Sequence, residues 1–588
     1  MSTTNDKAIA VNTPALASET PTQHLDRLVH AAIAPVSGGL SPVALALATV
    51  DWAWHLGVSP GRQLELTALA WRLGQDTLQH DASPDDASHP DDDPRFRHEA
   101  WANWPFSQIR TGFRNTETFW REAATVPGMT AHHAHMTQFF AKQWLGMLAP
   151  ANWLPTNPVV LQDVAESNGA HLLKGLQNWF SDVSGVPAPE ADAPAQQYLV
   201  GRDVAITPGK VVFRNHLIEL LRYEAQTDKV HPEPVLIVPS WIMKYYILDL
   251  SPHNSLVRYL VEQGHTVYML SWRNPDASDH DLTMDDYLRL GIIDALHTVG
   301  ELSGMQHGVH AMGYCLGGTL MAIAATLGRR GGMSDYARMP EIATLSLLAA
   351  QTDFSQPGEL GLFIDESQLA FLEDVTRAKG YLTGKQMAGS FQFLHSRDLV
   401  WTRRMNEYLM GEREHPNDLM AWNADTTRLP ARMHREYLTS LYLNNALASS
   451  AYQVRGRGVS LSDIRMPVFM VGTQRDHVSP WQSVYKLHHL CDAEITFVLT
   501  SGGHNAGIIS EPGHKNRSYQ MQTRAAHSAW VGHQEWAQQA PRFEGSWWPA
   551  WQQWLAAHSG RKVAARPIPA KAVLCDAPGT YVLQRYQD

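Results

Sequence analysis

Residues 309–330 read VHAMGYCLGGTLMAIAATLGRR. The apolar run 309–313 has the length and composition of a buried strand, and a helix-forming run, 317–329, follows almost at once. Between them lies Gly313-Tyr314-Cys315-Leu316-Gly317-Gly318, the form G-x-S-x-G with cysteine in place of serine. Such an elbow holds its nucleophile on a strained strand-to-helix turn. Side chains flanking it would strike the adjoining strand and helix, hence the glycines. The helix N-terminus supplies partial positive charge that favours a thiolate. The Leu316 backbone N–H would point into an oxyanion site. The plainer alternative is a buried structural cysteine beside a glycine turn, and the flanking strand and helix count against it.

Outward from the elbow the chain alternates between strand-like and helical runs. The strand-like runs are 198–204, 211–213, 235–238, 266–271, 343–348, 468–472 and 495–499. Helical runs cover 255–263 and 284–302. Apolar strands alternating with helices predict a largely parallel sheet covered on both faces, here an α/β-hydrolase fold. That fold places acid and base after the nucleophile in chain order. The loop after 468–472 carries Asp476, and the loop after 495–499 carries His504. His477 is a second-choice base, but neighbours in an extended chain point in opposite directions, so Asp476 and His477 do not both aim at Cys315. The loop after 235–238 should supply the second oxyanion donor, from the backbone near Trp241 and Ile242.

About 120 residues separate the strand-like run ending at Leu348 from the one starting at Val468, far more than a crossover needs. Residues 354–450 are therefore read as a cap insertion over the site. Residues 1–22 read as a flexible tail and 23–195 as a mostly helical N-terminal domain; 196–588 form the catalytic domain. The run DASPDDASHPDDDP (81–94) reads as a solvated loop. His132, His133 and His135 cluster, but no second group stands at ligand spacing, so surface histidines are expected and no metal. The tryptophans Trp547, Trp548, Trp551 and Trp554 are read first as core, and alternatively as an apolar surface.

The chain has 588 residues and a formal net charge of −11, which argues against non-specific nucleic-acid binding. Its three cysteines, Cys315, Cys491 and Cys575, make no disulfide framework and suggest a reducing compartment. The N-terminus, MSTTNDKAIAVNTPALASETPTQ, lacks a signal peptide's basic start and apolar run. The longest apolar stretch, 42–56, is broken by Asp51 and His55 and is too short to span a bilayer.

A thiolate attacks a thioester in a near-thermoneutral exchange, so the acyl group leaves as easily as it arrives; a cysteine nucleophile tilts the reading towards acyl transfer between thioesters. A cysteine-based thioesterase or polyester depolymerase carries the same elbow and remains an alternative. A catalytically idle binding or coat protein is another, and the intact Cys315, Asp476 and His504 set counts against it.

The chain resembles the polyhydroxyalkanoate synthases. The box G-x-C-x-G-G at 313–318 matches their signature. So do PSWIMKYYILDL (239–250), SLVRYLVEQGHTVYMLSWRNPD (255–276), DHVSPW (476–481) and GHNAG (503–507). GGLSPVALALATVDWAWHLGVSPGRQ (38–63) and EAWANWPFSQ (99–108) resemble the N-terminal domain of single-chain members; DLVWTRRMNEYLMG (398–411) and NDLMAWNADTTRLP (417–430) resemble their cap. The resemblance implies polymerisation of (R)-3-hydroxyacyl-CoA with release of CoA. Cys315 would carry the acyl group, His504 would be the base and Asp476 its orienting carboxylate. It further implies a homodimer in the cytoplasm at the surface of a polyester granule, with short acyl chains and no cofactor beyond the CoA thioester. Arg397, Arg403 and Arg404 are candidates for holding CoA, or form a solvated basic face. Met243 and Arg397 stand where the family often has Asn; with backbone donors in the oxyanion site, the Met243 departure should have a modest effect.

Overall fold

The runs flanking the elbow lie at the centre of an eleven-stranded mixed sheet. The computed structural model describes residues 20–34, 37, 39–79, 93–184, 198–328, 339–377, 379–387, 389, 397–413 and 416–585. The strands are β1 (Gly209–Arg214), β2 (Ile218–Tyr223), β3 (Val235–Val238), β4 (Val267–Trp272), β5 (Val309–Tyr314), β6 (Ile342–Leu348), β7 (Val468–Thr473), β8 (Ile495–Thr500), β9 (Ser518–Arg524), β10 (Arg542–Glu544) and β11 (Cys575–Asp576). Their order is β10-β9-β8-β7-β6-β5-β3-β4-β2-β1-β11. The inner strands β4, β3, β5, β6, β7 and β8 run parallel. Both flanks are antiparallel. Every residue of β3, β4, β5, β7 and β8 is buried, as a sheet covered on both faces requires. This is the α/β-hydrolase fold expected from the alternation.

The run 198–204 is not a strand. Val200 forms a single bridge with Val204, and the Asp203 carboxylate accepts the Leu199 N–H at 2.9 Å and closes a turn. Local β propensity there yields to an acidic side chain that bonds its own backbone. The expected flexible tail, 1–22, overlaps a helix: Thr20 caps α1 (Pro21–Ile33), accepting from the Gln23 N–H. The acidic run 81–94 lies outside the described residues up to residue 92.

The N-terminal part continues through α2 (Pro42–Gly57), α3 (Pro60–Gln79), α4 (Phe106–Ala123), α5 (Ala131–Leu148), α6 (Pro158–Ser167) and α7 (Ala170–Ser184). No helix among the described residues is long and apolar enough to cross a membrane. On the catalytic part, α8 (Leu256–Glu262) follows β3, α9 (Asp294–Ser303) leads into β5, and α10 (Leu316–Leu327) leaves the elbow. The insertion between β6 and β7 carries α11 (Glu366–Arg377), α12 (Asp418–Ala424) and α13 (Ala431–Tyr437). Wider π-type turns cover Arg397–Thr402, Met405–Leu409 and Leu438–Leu443.

The N-terminal helices grip this insertion at separate points. At the start of α2 the Ser41 N–H donates to Gln368 Oε1 (2.6 Å), and Gln368 Nε2 donates to the Gly39 carbonyl (2.9 Å). His30 on α1 pairs with Asp374 at 2.7 Å. On α5, His132 pairs with Asp365 at 3.3 Å and Phe139 packs edge-on against Phe363. His133 instead bonds Asp51 at 2.7 Å, so His132 and His133 are interdomain and intradomain partners, while His135 is exposed as expected. At the far end Asn178 on α7 donates to the Glu407 carbonyl (2.9 Å), and Arg413 pairs with Asp182.

Gly175 makes that last contact possible, since a Cβ there would collide with the Tyr408 backbone carbonyl. Gly175→Val is expected to lower stability by about 1–3 kcal/mol through overpacking against backbone that cannot yield. A fall in the chemical-denaturation midpoint measures it; an unchanged midpoint would mean that α7 and the 405–409 turn are not pressed together.

Candidate active site

Cys315 sits between β5 and α10 with φ +53° and ψ −125°, a conformation held by its surroundings. Its N–H donates to the Leu348 carbonyl of β6 (2.9 Å), and its own carbonyl accepts from Gly318 and Thr319. A Cβ at Gly313 would collide with Gly318, and one at Gly317 would collide with the Val238 carbonyl of β3. The glycines therefore serve close packing of elbow, strand and helix. Leu316 opens α10, so its N–H has no intrahelical acceptor.

Asp476 follows β7, and its side chain is fully buried. It accepts from Thr473 Oγ1 (2.8 Å), the Val478 N–H (2.9 Å), the Ser479 N–H (2.7 Å) and His504 Nδ1 (2.8 Å). Burial alone would raise its carboxyl; the charge of His504 and these donors outweigh burial and hold it below the ordinary carboxylate range. Burial would likewise push His504 down. The Asp476 carboxylate, Cys315 and hydrogen bonds to both outweigh it, holding the imidazole well above its ordinary value. With Nδ1 committed to Asp476, the other ring nitrogen is the one left to serve the Cys315 thiol. The structure thus pairs His504 with Asp476 and sets Cys315 within electrostatic reach of the imidazole.

Several supporting side chains escaped the sequence reading. The Tyr314 hydroxyl donates to Asn505 Oδ1 (2.7 Å), and its ring lies 5.6 Å from that of His504. Helix α14 (Trp548–Ala557) and the residue before it complete the tie: Trp547 Nε1 donates to the Gly507 carbonyl (3.0 Å) and Trp548 Nε1 to the Ile508 carbonyl (2.9 Å). Trp547, Trp548 and Trp551 are core residues, and two of them anchor the loop that carries His504.

The cap closes over the nucleophile with aromatic side chains. Tyr437 and Tyr442 are buried in the same core as Cys315, 5.3 Å apart ring to ring. Tyr437 also meets Trp241 edge-on at 6.2 Å, and Tyr442 packs on Phe354 at 4.8 Å. The π-type turn 438–443 allows two residues five apart to face one site, a spacing an α-helical reading disperses.

The loop after β3 lies against the elbow, with the Val238 and Pro239 carbonyls close to Gly317. Trp241 is buried, its carbonyl accepting from Thr427 Oγ1 at 2.8 Å. The Ile242 N–H is already directed at Ser240 Oγ (3.4 Å). Met243 bridges Thr426 of the cap through its backbone, so this departure from Asn leaves the loop's backbone pairing in place. His477 is exposed where Asp476 is buried, and its carbonyl accepts the Glu359 N–H (3.2 Å). Arg403 bonds Glu407 (2.7 Å) and Arg404 lies over the Trp401 ring (5.4 Å). Neither is brought to the Cys315 centre by any contact among the described residues. Arg397 begins the 397–402 turn, and its side chain lies outside what is described.

Comparison with known proteins places this geometry in a family. Residues 20–62 match the family described as "Poly-beta-hydroxybutyrate polymerase N terminal", residues 92–260 match "Poly-beta-hydroxybutyrate polymerase (PhaC) N-terminus", and residues 233–510 match "alpha/beta hydrolase fold". The "Poly(3-hydroxyalkanoate) polymerase subunit PhaC" of Rhizobium etli is 37% identical over 502 residues, covering 84% of this chain and 77% of that protein. The protein of the same description from Cupriavidus necator is 37% identical over 509 residues, covering 84% of each. The "Poly(3-hydroxyalkanoate) polymerase" of Methylorubrum extorquens is 37% identical over 505 residues, covering 84% of this chain and 81% of that one. With 37% identity over 84% of its length to each of these, this chain belongs to the poly(3-hydroxyalkanoate) polymerases.

Proposed function

We propose that this protein polymerises (R)-3-hydroxyacyl-CoA, with 3-hydroxybutyryl-CoA as a preferred substrate, through a thioester on Cys315. The observation that carries the reading is the hydrogen-bonded pair His504–Asp476 set against Cys315 on its strand-to-helix elbow. The Cys315 thiolate attacks the thioester carbonyl. The carbonyl oxygen gains charge near the Leu316 N–H and the Trp241–Ile242 loop, and CoA leaves as the thiol, taking the proton that His504 received from Cys315. In elongation His504 removes the proton from a 3-hydroxyl, and the alkoxide attacks an acyl thioester; one ester bond forms as one thioester bond breaks. The thioester carries the activation, so the chemistry calls for neither cofactor nor metal.

Buried Tyr437 and Tyr442 of the cap, with Trp241 of the loop after β3, keep water from the acyl-enzyme, which favours transfer to a hydroxyl over hydrolysis. This separates the reading from its alternative, a thioesterase or polyester depolymerase.

We further propose that the N-terminal helices hold a homodimer at the surface of a cytoplasmic polyester granule. Val43, Leu47 and Trp54 of α2 are 57%, 52% and 74% exposed, and Trp71 of α3 is 69% exposed, a density of outward apolar side chains that suits another subunit or an apolar phase. The test is incubation of the purified protein with 3-hydroxybutyryl-CoA while thiol release and turbidity are followed together. Polymerisation gives both signals; free 3-hydroxybutyrate with thiol release and no turbidity would establish the hydrolase instead.

A further inference from the structure

The cap holds the loop after β3 peptide by peptide. At the start of the loop, Trp272 Nε1 at the end of β4 donates to the Pro239 carbonyl (3.0 Å), close to Gly317 of the elbow. From the cap, Thr427 Oγ1 donates to the Trp241 carbonyl (2.8 Å) and the Thr427 N–H to the Ile242 carbonyl (3.4 Å). Met243 bridges Thr426, and Trp422 Nε1 donates to the Lys244 carbonyl (2.7 Å). The cap segment that makes these bonds is itself fixed. The Arg428 N–H donates to Asn274 Oδ1 (3.0 Å), and Leu429 and Pro430 pair with Leu382 and Tyr381.

One of these bonds comes from a side chain whose polarity the packing does not need. Thr427 is 1% exposed, and valine would fill the same space; burying a hydroxyl costs stability unless it is bonded. Its hydroxyl proton goes to the Trp241 carbonyl. The Trp241–Ile242 peptide is trans and planar, so its carbonyl and its N–H point in opposite directions. Pinning the carbonyl to the cap therefore fixes where the Ile242 N–H points. The partner of that N–H among the described residues is Ser240 Oγ at 3.4 Å, beyond the usual range of an N–H···O bond. The result is a donor of fixed direction and weak partnership, ready to exchange a hydroxyl for an oxygen that gains charge.

We propose that Thr427 is a positioning residue for acyl transfer: through the Trp241 carbonyl it aims the Ile242 N–H at the thioester oxygen, so the cap sets the direction of the oxyanion donor. The proposal deepens the polymerase reading and rests on it, in particular on the Trp241–Ile242 loop as the donor. Thr427 acts on a peptide plane and not on the substrate. The carbonyl oxygen gains charge when Cys315 attacks the thioester and again when an alkoxide attacks the acyl group in elongation, so both halves of the cycle draw on the same N–H. A donor oriented before the substrate arrives costs no reorganisation at the moment of reaction. The bonds from Trp422, Thr426 and Thr427 make the cap segment and this loop one unit, which ties the oxyanion site to the insertion and not to the sheet alone.

Thr427→Val and Thr427→Ser in the full-length protein test this. Valine keeps the shape and the backbone bond to Ile242 and removes the hydroxyl; serine keeps the hydroxyl and loses a methyl group. In Thr427→Val, kcat for CoA release from 3-hydroxybutyryl-CoA should fall about tenfold to 10²-fold, less than the 10²–10³-fold of deleting an oxyanion donor, because the N–H is misdirected and not removed. KM should stay near its wild-type value, and Thr427→Ser should keep most of the wild-type kcat. Two further measurements isolate the oxyanion. A trifluoromethyl ketone analogue of the thioester, which forms a charged tetrahedral adduct with the thiolate, should bind Thr427→Val more weakly by the same factor as kcat falls. Alkylation of Cys315 by iodoacetamide, followed by peptide mass mapping, builds no oxyanion and should proceed at the wild-type rate. Wild-type kcat in Thr427→Val, an alkylation rate that falls together with kcat, or unchanged affinity for the ketone overturns the proposal. So does a serine variant less active than the valine one, the ranking that a role in packing alone would give. Failure of the polymerase reading shows itself separately, as a wild-type protein whose Cys315 is alkylated but which releases no CoA from the thioester.

Discussion

Cys315→Ala should release no CoA from 3-hydroxybutyryl-CoA above the uncatalysed rate, a loss of at least about 10⁴-fold, because the step removed is the covalent one. The fold should survive. Cys315 is buried in a turn whose geometry is set by its neighbours: its N–H bonds Leu348, and Gly317 packs on the β3 carbonyls. Alanine meets the positive φ no worse than cysteine does and leaves only the space of one sulfur, so stability should change by about 1 kcal/mol or less. Cys315→Ser keeps an ionisable group at the elbow but asks His504 to deprotonate a far weaker acid, and should retain a trace of activity. Thiol release assayed alongside thermal melting separates the two effects. Near-wild-type turnover by Cys315→Ala would end the covalent mechanism.

The elbow and its partners were legible for a specific reason. Buried parallel strands are short continuous apolar runs, and the turns that end them carry the chemistry, so 309–313, 468–472 and 495–499 locate Cys315, Asp476 and His504 from chain order alone. The antiparallel flanks obey a different rule. Strand β9, SYQMQTR, is only partly buried and polar at alternate positions, and β11 is two residues long; neither offers a run to detect. The run 198–204 misled because Asp203 folds it into a turn. The N-terminal region reads as helices, but Ser41 pairing with Gln368, or Gly175 facing Tyr408, joins positions hundreds of residues apart that no local pattern links. The pairing of Tyr437 with Tyr442 was hidden by a period of five where 3.6 was sought. The tryptophans at 547–551 were read correctly as core, but the backbone carbonyls their N–H groups reach could come only from coordinates.

His504→Gln and Asp476→Asn should differ in which half of the cycle they damage. Glutamine at 504 cannot accept the proton of either the Cys315 thiol or the substrate hydroxyl, so acylation and elongation both fall, by roughly 10²–10⁴-fold. Asparagine at 476 leaves the imidazole in place but removes the charge that outweighs burial and holds it above its ordinary value. Its amide also turns one acceptor into a donor in a pocket that presents four donors: Thr473, Val478, Ser479 and His504. The weakened base still serves a thiol, which ionises readily, better than a hydroxyl, which does not. Acyl-Cys315 should therefore accumulate in Asp476→Asn, visible by intact-protein mass spectrometry, while steady-state polymer formation stalls. The same pair sets a pH signature on stability. A carboxyl held below its ordinary value adds stability above that value and loses it as the pH falls through the lowered one; an imidazole held above its ordinary value adds stability below that value and loses it as the pH rises through the raised one. The stability that wild type holds over Asp476→Asn should thus be greatest between about pH 4 and 6.5, the ordinary values of the two groups, and shrink on either side. Denaturant titrations across that range check it, and a difference that grows steadily towards alkaline pH would contradict the assignment. His477→Gln is the remaining control. Its carbonyl accepts the Glu359 N–H, a backbone contact that glutamine keeps, and the side chain is exposed, so turnover should change little; damage equal to that of His504→Gln would mean that the base is His477.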